Sequence, residues 1–317
     1  MGEVRFDGQS AIVTGAGNGL GREYALQLAA RGAAVVCNDL DADAARATAA
    51  QIVERGGRAV PETSSVASPG AGEAIVGAAL EAFGSVDVVI NNAGQLRNAA
   101  FDEMTADDVD EVLRTHLGGA FHVTRPAYRH MLAAGYGRIV FTSSGAVFGS
   151  PWQANYAAAK AGVIGLCHAI ALEGAPHGIR ANTVMPMALT GIGASGPPPF
   201  PPELLDETVQ AMRPLAPYMT VGNVAPLVLH LASRGCAVTG RTYSVGCGRV
   251  AEVVLGVTEG WVAADPARPA TPEEVAQRLA AAGDGAAGDG AAGDPASLEV
   301  PRSMLDEVRS VAARLPT

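Results

Sequence analysis

Tyr156 stands four residues before Lys160 in the stretch QANYAAAK, with only alanines between them. On a helix that interval puts both side chains on one face. A free phenol ionises near pH ~10 and is a poor proton carrier at neutral pH. An ammonium beside it stabilises the phenolate and lowers that value. The pair then suits proton transfer to or from the oxygen of an alcohol or carbonyl group. A serine hydroxyl nearby could hold the same oxygen, and Ser143 and Ser144 close the run GRIVFTSS upstream. Tyr/Lys pairs at this spacing also arise by chance in alanine-rich helices, so the assignment depends on the rest of the chain.

The second chemical feature is VTGAGNGLGR, residues 13–22, with Gly15, Gly17, Gly19 and Gly21. Its spacing is Gly15-xxx-Gly19-x-Gly21 and not a strict GxGxxG. The loop follows an apolar β-branched run and opens a helical pattern, the context a dinucleotide loop requires. Glycines there let the backbone approach a pyrophosphate, whose charge the helix N-terminus stabilises. The next strand run ends in Asp39, where a carboxylate can accept from ribose hydroxyls and would repel a 2′-phosphate. Asn38 and Leu40 flank it and bring no cation. This predicts NAD in preference to NADP. NNAG, residues 91–94, ends another strand run, and its asparagine side chains and glycine could line the same cleft.

These residues need a scaffold that brings strand ends together. The runs SAIVTG (10–15), AAVVCND (33–39), VDVVINN (86–92), GRIVFTSS (137–144), IRANTVMP (179–186) and RTYSVG (241–246) read as strands. Most are apolar on both faces, as strands of a covered parallel sheet are. Helical patterns lie between most of them; in 20–32, Leu20, Tyr24, Ala25, Leu28 and Ala29 recur at helical spacing before Gly32. The alternation predicts an α/β protein, a doubly wound parallel sheet (Rossmann fold) with helices on both faces.

Residues 1–256 are expected to form that domain. Within it, 191–219 begins with a proline-rich stretch and carries Phe200, Leu204, Leu205, Met212 and Met219. It follows a strand end on the ligand-binding edge and is expected to act as a substrate lid. Residues 257–317 form a C-terminal extension. Thr271, Pro272 and Glu274 spell a capped helix start over 271–281. The repeat AAGDGAAGDGAAGD (281–294) has no apolar side chain larger than alanine and is expected to be a flexible linker. Met304, Leu305, Val308, Val311, Ala312 and Leu315 share one face of a last helix, 303–315, expected to dock on the body or on a partner subunit.

The net charge of −10 argues against a general nucleic-acid binder, which needs a basic face. No uncharged apolar stretch reaches the ~18 residues needed to cross a bilayer, and no signal-peptide pattern is present. Cys37, Cys167, Cys236 and Cys247 lack metal-ligand spacing and fit free thiols in a reducing cytoplasm.

Taken together, the glycine loop, Asp39, NNAG, the serine pair, Tyr156 with Lys160, and Pro186 resemble the short-chain dehydrogenase/reductase family over about residues 5–256. The likeness is greatest to the (3R)-hydroxyacyl-CoA dehydrogenase branch, through VTGAGNGLGR, CNDL, HLGGAFHVTRPAYRHM, QANYAAAK and VAPLVLHL. The resemblance implies a sheet of about seven strands and hydride exchange with a nicotinamide. It implies Tyr156 as acid/base, a serine on the substrate oxygen, and Lys160 holding the nicotinamide ribose. Cofactor contacts are implied at Gly15, Asn18, Gly19, Leu20, Gly21, Asp39, Ser65, Val66, Asn92, Ala93, Gly94, Tyr156, Lys160 and Pro186. The family's usual interval to the tyrosine points to Ser143, whereas the register of the strand points to Ser144, the assignment adopted. Three positions depart from the family pattern: His116 replaces an asparagine, Ser65 an aspartate, and Met187 the glycine after Pro186. The expected function is an NAD-dependent oxidoreductase acting on a secondary alcohol or ketone. A 3-hydroxyacyl-CoA is the expected substrate, with steroid or other lipid alcohols as the alternative and a non-catalytic NAD sensor as an alternative of another class. A homodimer or homotetramer is implied.

Overall fold

Apolar runs with side chains on both faces have to be covered on both faces, and this governs the architecture. A computed structural model of the chain describes residues 2–190, 201–258, 261–263, 265–281 and 298–314. The elements alternate: β1 (Ser10–Thr14), α1 (Gly19–Ala30), β2 (Ala34–Asn38), α2 (Ala42–Glu54), β3 (Arg58–Glu62), α3 (Ala71–Phe83) and β4 (Val88–Asn91). There follow α4 (Ala106–Leu113), α5 (Gly119–Ala134), β5 (Gly137–Thr142), α6 (Ala154–Gly174) and β6 (Ile179–Pro186). The last are α7 (Pro202–Met212), α8 (Ala225–Ala232), β7 (Thr242–Gly246), β8 (Arg249–Val253), α9 (Pro272–Ala281) and α10 (Met304–Arg314).

The strands form one sheet in the order β3-β2-β1-β4-β5-β6-β7-β8. The pairs from β3 through β7 are parallel. Val13, Val35, Ile90 and Val140 pack on one face with Leu28 of α1 and Leu229 of α8. Their neighbours Ile12, Val36, Val89 and Ile139 pack on the other with Ile75 of α3, Val123 of α5 and Leu166 of α6. Period-two alternation thus feeds two cores, one per helix layer.

The sheet has eight strands where about seven were expected. β3 is a part-exposed edge strand containing Pro61. β8 follows β7 after only Cys247 and Gly248, both at positive φ, which suits a tight two-residue hairpin turn. Neither edge strand carries the buried apolar run that marks the central ones.

The chain divides into two compact units, Met1–Glu252 and Val253–Thr317. In the second, α9 starts with the expected capping box: Thr271 N donates to Glu274 Oε2 (2.9 Å) and Glu274 N to Thr271 Oγ1 (3.2 Å). The Arg278 guanidinium lies over the Trp261 ring at 5.3 Å. Val257 and Glu299 form an antiparallel bridge. Met304, Leu305, Val308 and Val311 of α10 are exposed. The repeat 282–294 and Leu315 lie outside the described residues, as do the first ten residues of the expected lid, 191–200. The rest of that segment is α7 and the turn Ala216–Tyr218, with Met219 buried behind them.

α6 with the turn after it is long and apolar enough, by length and composition, to cross a membrane. It packs against the second core through Val163, Leu166, Cys167 and Ala171 and carries the buried Lys160, which is the setting of a core helix.

Candidate active site

The glycine loop, Asp39, NNAG, the serine pair and Met187 lie at or just after the carboxyl ends of β1, β2, β4, β5 and β6. The cleft opens where β1 separates β2 from β4, because the order of the strands reverses there.

The glycine loop joins β1 to α1. Gly15 (φ 66°) and Gly19 (φ 52°) take left-handed backbone that side chains disfavour. A Cβ at Gly15 would sit 2.9 Å from the Ala93 Cα, and one at Gly17 2.6 Å from the Ala44 Cβ. A Cβ at Gly21 would overlap the Gly15 carbonyl oxygen. The loop is therefore closed to side chains on its inner side. Asn18 is the N-cap of α1, but its side chain caps nothing, and no acidic residue lies in the first turn. The first amides of α1, beside Leu20, are thus left for an anion.

Asp39 follows the end of β2. Its carboxylate accepts from Gly17 N (2.8 Å) and from Asp41 N (3.0 Å), which ties the loop to the strand end. Ser65 is partly buried, and its carbonyl closes a turn with Ser68 N (2.9 Å). Val66 is buried against Gly119.

The side chains of NNAG are held by neighbouring protein groups. Asn91 is buried and donates to Thr124 Oγ1 (2.9 Å). Asn92 donates from Nδ2 to the Thr14 and Gly15 carbonyls (3.1 and 3.3 Å). Asn91 is thus held by a hydroxyl of α5 and Asn92 by carbonyls at the end of β1, groups that burial makes costly to leave unpaired. Asn92 props the glycine loop from behind. Ala93 N donates to Thr14 Oγ1 (3.0 Å). A Cβ at Gly94 would collide with the His116 ring.

His116 lies in a π turn, Arg114–Gly118, inserted between α4 and α5. Such turns re-aim side chains within a helix. The imidazole is 4% exposed and meets the Tyr156 ring edge-on, centroids 5.1 Å apart. Its Nε2 lies against the Gln95 backbone, 2.8 Å from the carbonyl oxygen and 3.2 Å from the amide nitrogen. Nδ1 is buried without a hydrogen-bond partner among the described residues. Beside it lies a cavity of about 10 Å³, also lined by Asn91, Thr142 and Lys160. That is room for about one water. Burial and the nearby Lys160 charge push the His116 pKa down to about 3, so this ring is neutral.

Tyr156 and Lys160 lie in the first two turns of α6. The Ser144 hydroxyl faces the Tyr156 phenol closely enough to lower its pKa, and Ser144 Oγ accepts from Ala146 N (3.2 Å). Ser143 faces the other way. Its N continues the ladder to Val184 O (2.7 Å), and its hydroxyl donates to the Lys160 carbonyl (2.8 Å). Lys160 is buried, its Nζ donating to the Thr142 carbonyl at 2.6 Å and lying 5.6 Å from the Tyr156 ring centre. Burial lowers the lysine to about 7. Burial also raises the Tyr156 phenol, offset in part by the neighbouring Ser144 hydroxyl. The expected lowering of the tyrosine by the lysine is therefore not present in this arrangement, because the ammonium is turned to a carbonyl and is itself desolvated. β6 ends at Pro186, after which Met187 N donates to Val245 O (2.7 Å).

The short chain dehydrogenase family profile matches residues 9–193. The chain is 42% identical to mouse peroxisomal multifunctional enzyme type 2 over 86% of its own length, but spans 36% of that protein. It is 41% identical to a short-chain type dehydrogenase/reductase of Mycobacterium tuberculosis, covering 85% of this chain and 92% of the relative. A crystal structure of a short chain dehydrogenase from Mycobacterium avium superposes with a TM-score of 0.73 at 33% identity, covering 87% of this chain and 94% of the other.

Proposed function

The chain belongs to the short-chain dehydrogenase family, and we propose that it is an NAD-dependent dehydrogenase that interconverts a secondary alcohol and its ketone, with a 3-hydroxyacyl-CoA thioester as substrate. One observation carries the reaction type. The Tyr156 phenol, raised by burial and lowered in part by the neighbouring Ser144 hydroxyl, stands at the carboxyl edge with the buried Lys160 Nζ 5.6 Å from its ring centre.

The residues fit a dinucleotide. The α1 amides are uncapped, the inner side of the glycine loop has no room for a Cβ, and Asp39 stands at the end of the neighbouring strand. Gly15, Asn18, Gly19, Leu20 and Gly21 would hold its pyrophosphate. Asp39 would hold the adenosine ribose, Ser65 and Val66 the adenine. Asn92 (through its backbone), Ala93, Gly94, Lys160 and Pro186 would surround the nicotinamide riboside. A nicotinamide held there would supply the hydride acceptor for alcohol oxidation and the hydride donor for ketone reduction. The Asp39 carboxylate favours NAD, because a 2′-phosphate would bring a second negative charge to it.

Tyr156 takes the proton from the substrate alcohol during oxidation and gives it to the carbonyl oxygen during reduction. Ser144 bonds the same oxygen and so sets it in line with the phenol. The segments after β5 and β6 expose Phe148, Met187 and Leu189, an apolar edge that suits an acyl chain. The likeness to the mouse multifunctional enzyme supports the same substrate class. α5 and α6 expose Phe121, Leu132 and Leu172, which supports a homodimer or homotetramer packed through these helices. Three of the four free thiols are buried, which agrees with a cytoplasmic setting.

The test follows nicotinamide absorbance with NADH or NADPH and a panel of acetoacetyl-CoA, 3-oxodecanoyl-CoA, a ketosteroid and cyclohexanone. Fastest turnover is expected with NADH and 3-oxodecanoyl-CoA. Preference for NADPH overturns the cofactor assignment, and preference for the ketosteroid moves the substrate to other lipid alcohols. Tight NADH binding with no turnover of any ketone would make the protein a sensor.

A further inference from the structure

Among the described residues, Trp152 (φ 68°) and Cys247 (φ 52°) are the non-glycine residues with left-handed backbone. For a side chain as bulky as indole this conformation is costly and persists where its surroundings over-determine it. Trp152 lies in the loop between Ser144 and Tyr156, and three successive contacts hold that loop. The Trp152 carbonyl accepts from Ala99 N at 3.0 Å. Gln153 Nε2 donates to Asn98 Oδ1 at 3.2 Å. Asn155 Nδ2 donates to the Arg97 carbonyl at 2.9 Å and to the Asp108 carbonyl at 3.0 Å. Residues 99, 98 and 97 thus meet 152, 153 and 155 in antiparallel order, forming a seam between two loops.

Asn155 is the buried end of that seam, 3% exposed. Both donors of its amide are used, and its Oδ1 accepts from Tyr156 N at 2.7 Å. The last bond matters because α6 has no side-chain cap: Gln153, its N-cap, bonds none of the first amides. The facing strip is itself anchored. Gln95 backbone atoms hold His116, Gln95 Nε2 donates to Thr115 Oγ1 (3.1 Å), and Arg97 pairs with Glu111 (2.6 Å). Asp108 O belongs to α4, so Asn155 joins α4, the strip after NNAG and the start of α6 at one point.

We propose that this seam is a positioning device for proton transfer and that Asn155 is its principal residue, fixing the first turn of α6 so that the Tyr156 hydroxyl meets Ser144. The side chains around the phenol are Ser144, the neutral His116 and Lys160. None of them restrains the backbone of Tyr156; Asn155 does so one residue away. A displacement of ~1 Å at a reacting group can cost ~100-fold in rate. The strained Trp152 is the conformational cost of closing the seam at its outer end.

The inference rests on Tyr156 being the proton-transfer group, so Tyr156→Phe is measured beside the seam variants. Each variant is assayed with NADH and the panel ketone that the unaltered enzyme reduces fastest. Asn155→Ala is expected to lower kcat by ten- to a hundredfold while KM and the Kd of NADH stay within about threefold. The solvent deuterium isotope effect on kcat should rise as proton transfer becomes slower. Gln153→Ala removes the half-buried middle rung without opening a core hole and should show the same signature at three- to tenfold; it decides the matter alone if Asn155→Ala does not fold. A folded Asn155→Ala enzyme with kcat within twofold of normal overturns the proposal. So does a loss of kcat in step with NADH binding, or an unchanged isotope effect. If Tyr156→Phe keeps normal turnover, the assignment of Tyr156 is what has failed. If Tyr156→Phe is inactive while both seam variants work normally, only the seam has failed.

Discussion

On the glycine-loop side of the cleft the decisive atoms are ones the chain lacks. The space beside Gly15, Gly17 and Gly21 is already filled by Ala93, Ala44 and the loop's own backbone. On the α6 side the decisive atoms are polar groups carried into the interior: Lys160, His116 and Asn155 are each less than 5% exposed. One wall is made of backbone that must approach closely, the other of side chains desolvated and then held by specific partners. The first should be intolerant of additions and the second of subtractions. The first also tolerates little polar error, since Asn92 spends its amide satisfying the Thr14 and Gly15 carbonyls behind the loop.

The largest effect expected is a subtraction. Tyr156→Phe removes one oxygen and the only phenol beside Ser144. Loss of a general acid/base is worth ~10²–10⁴-fold in rate, so turnover should fall by about a thousandfold or more. Because the ring stays edge-on to His116, the Kd of NADH should move by no more than about threefold. Stopped-flow turnover and fluorescence titration measure the two. The matching addition is Gly21→Ala. Its methyl would overlap the Gly15 carbonyl, which is backbone and cannot swing aside. NADH binding should weaken by roughly tenfold, and the displaced α1–β1 contact should cost about 1–3 kcal/mol of stability, as overpacking does elsewhere, seen as a lower Tm. Normal NADH affinity in Gly21→Ala would break the comparison at the cofactor wall.

The same contrast explains what was readable in the chain. The glycine loop and the Tyr156/Lys160 pair announce themselves because their function demands those residue types at those intervals. β1, β2, β4 and β5 were legible because every residue in them is buried. β3 (RAVPE) and β8 (RVAEV) were not, since edge strands keep polar, part-exposed residues and carry no apolar run. The choice between Ser143 and Ser144 turned on strand register. Ser143 N still bonds across to Val184, so its hydroxyl faces α6 and Ser144 faces the cleft. The roles of Asn92 and of the 97–99/152–155 seam had no such signal. They depend on segments far apart in the chain, 55 residues for the Gln153–Asn98 bond and 78 for the Asn92–Thr14 bond, and asparagine or glutamine in a loop has no periodicity to betray its partner. The lysine's expected effect on the phenol failed for a related reason: i,i+4 spacing places two side chains on one face, but the Thr142 carbonyl decides where the ammonium goes.

Lys160 offers the smallest and most discriminating change, read in stability without cofactor. Burial lowers its pKa from 10.5 to about 7. Between those values the unfolded chain binds more protons than the folded one, so this group makes stability rise with pH across that window. Below about pH 7 the lysine is charged in both states, and the full cost of burying it is present. Lys160→Met fills much the same volume without a charge, although it leaves the Thr142 carbonyl without this donor. The variant should be more stable than the unaltered protein at pH 6, on the order of 1–2 kcal/mol as for other buried charges replaced by apolar groups. That advantage should shrink steadily as the pH is raised through 8 to 9, while turnover is lost at every pH. Thermal unfolding of both proteins at matched pH values makes the measurement. An advantage that stayed constant with pH would mean that packing and not charge governs the site. A variant less stable at pH 6 than at pH 9, relative to the unaltered protein, would show that the Lys160 charge is a stabilising part of the catalytic wall, and that this wall is not built at the cost of burial.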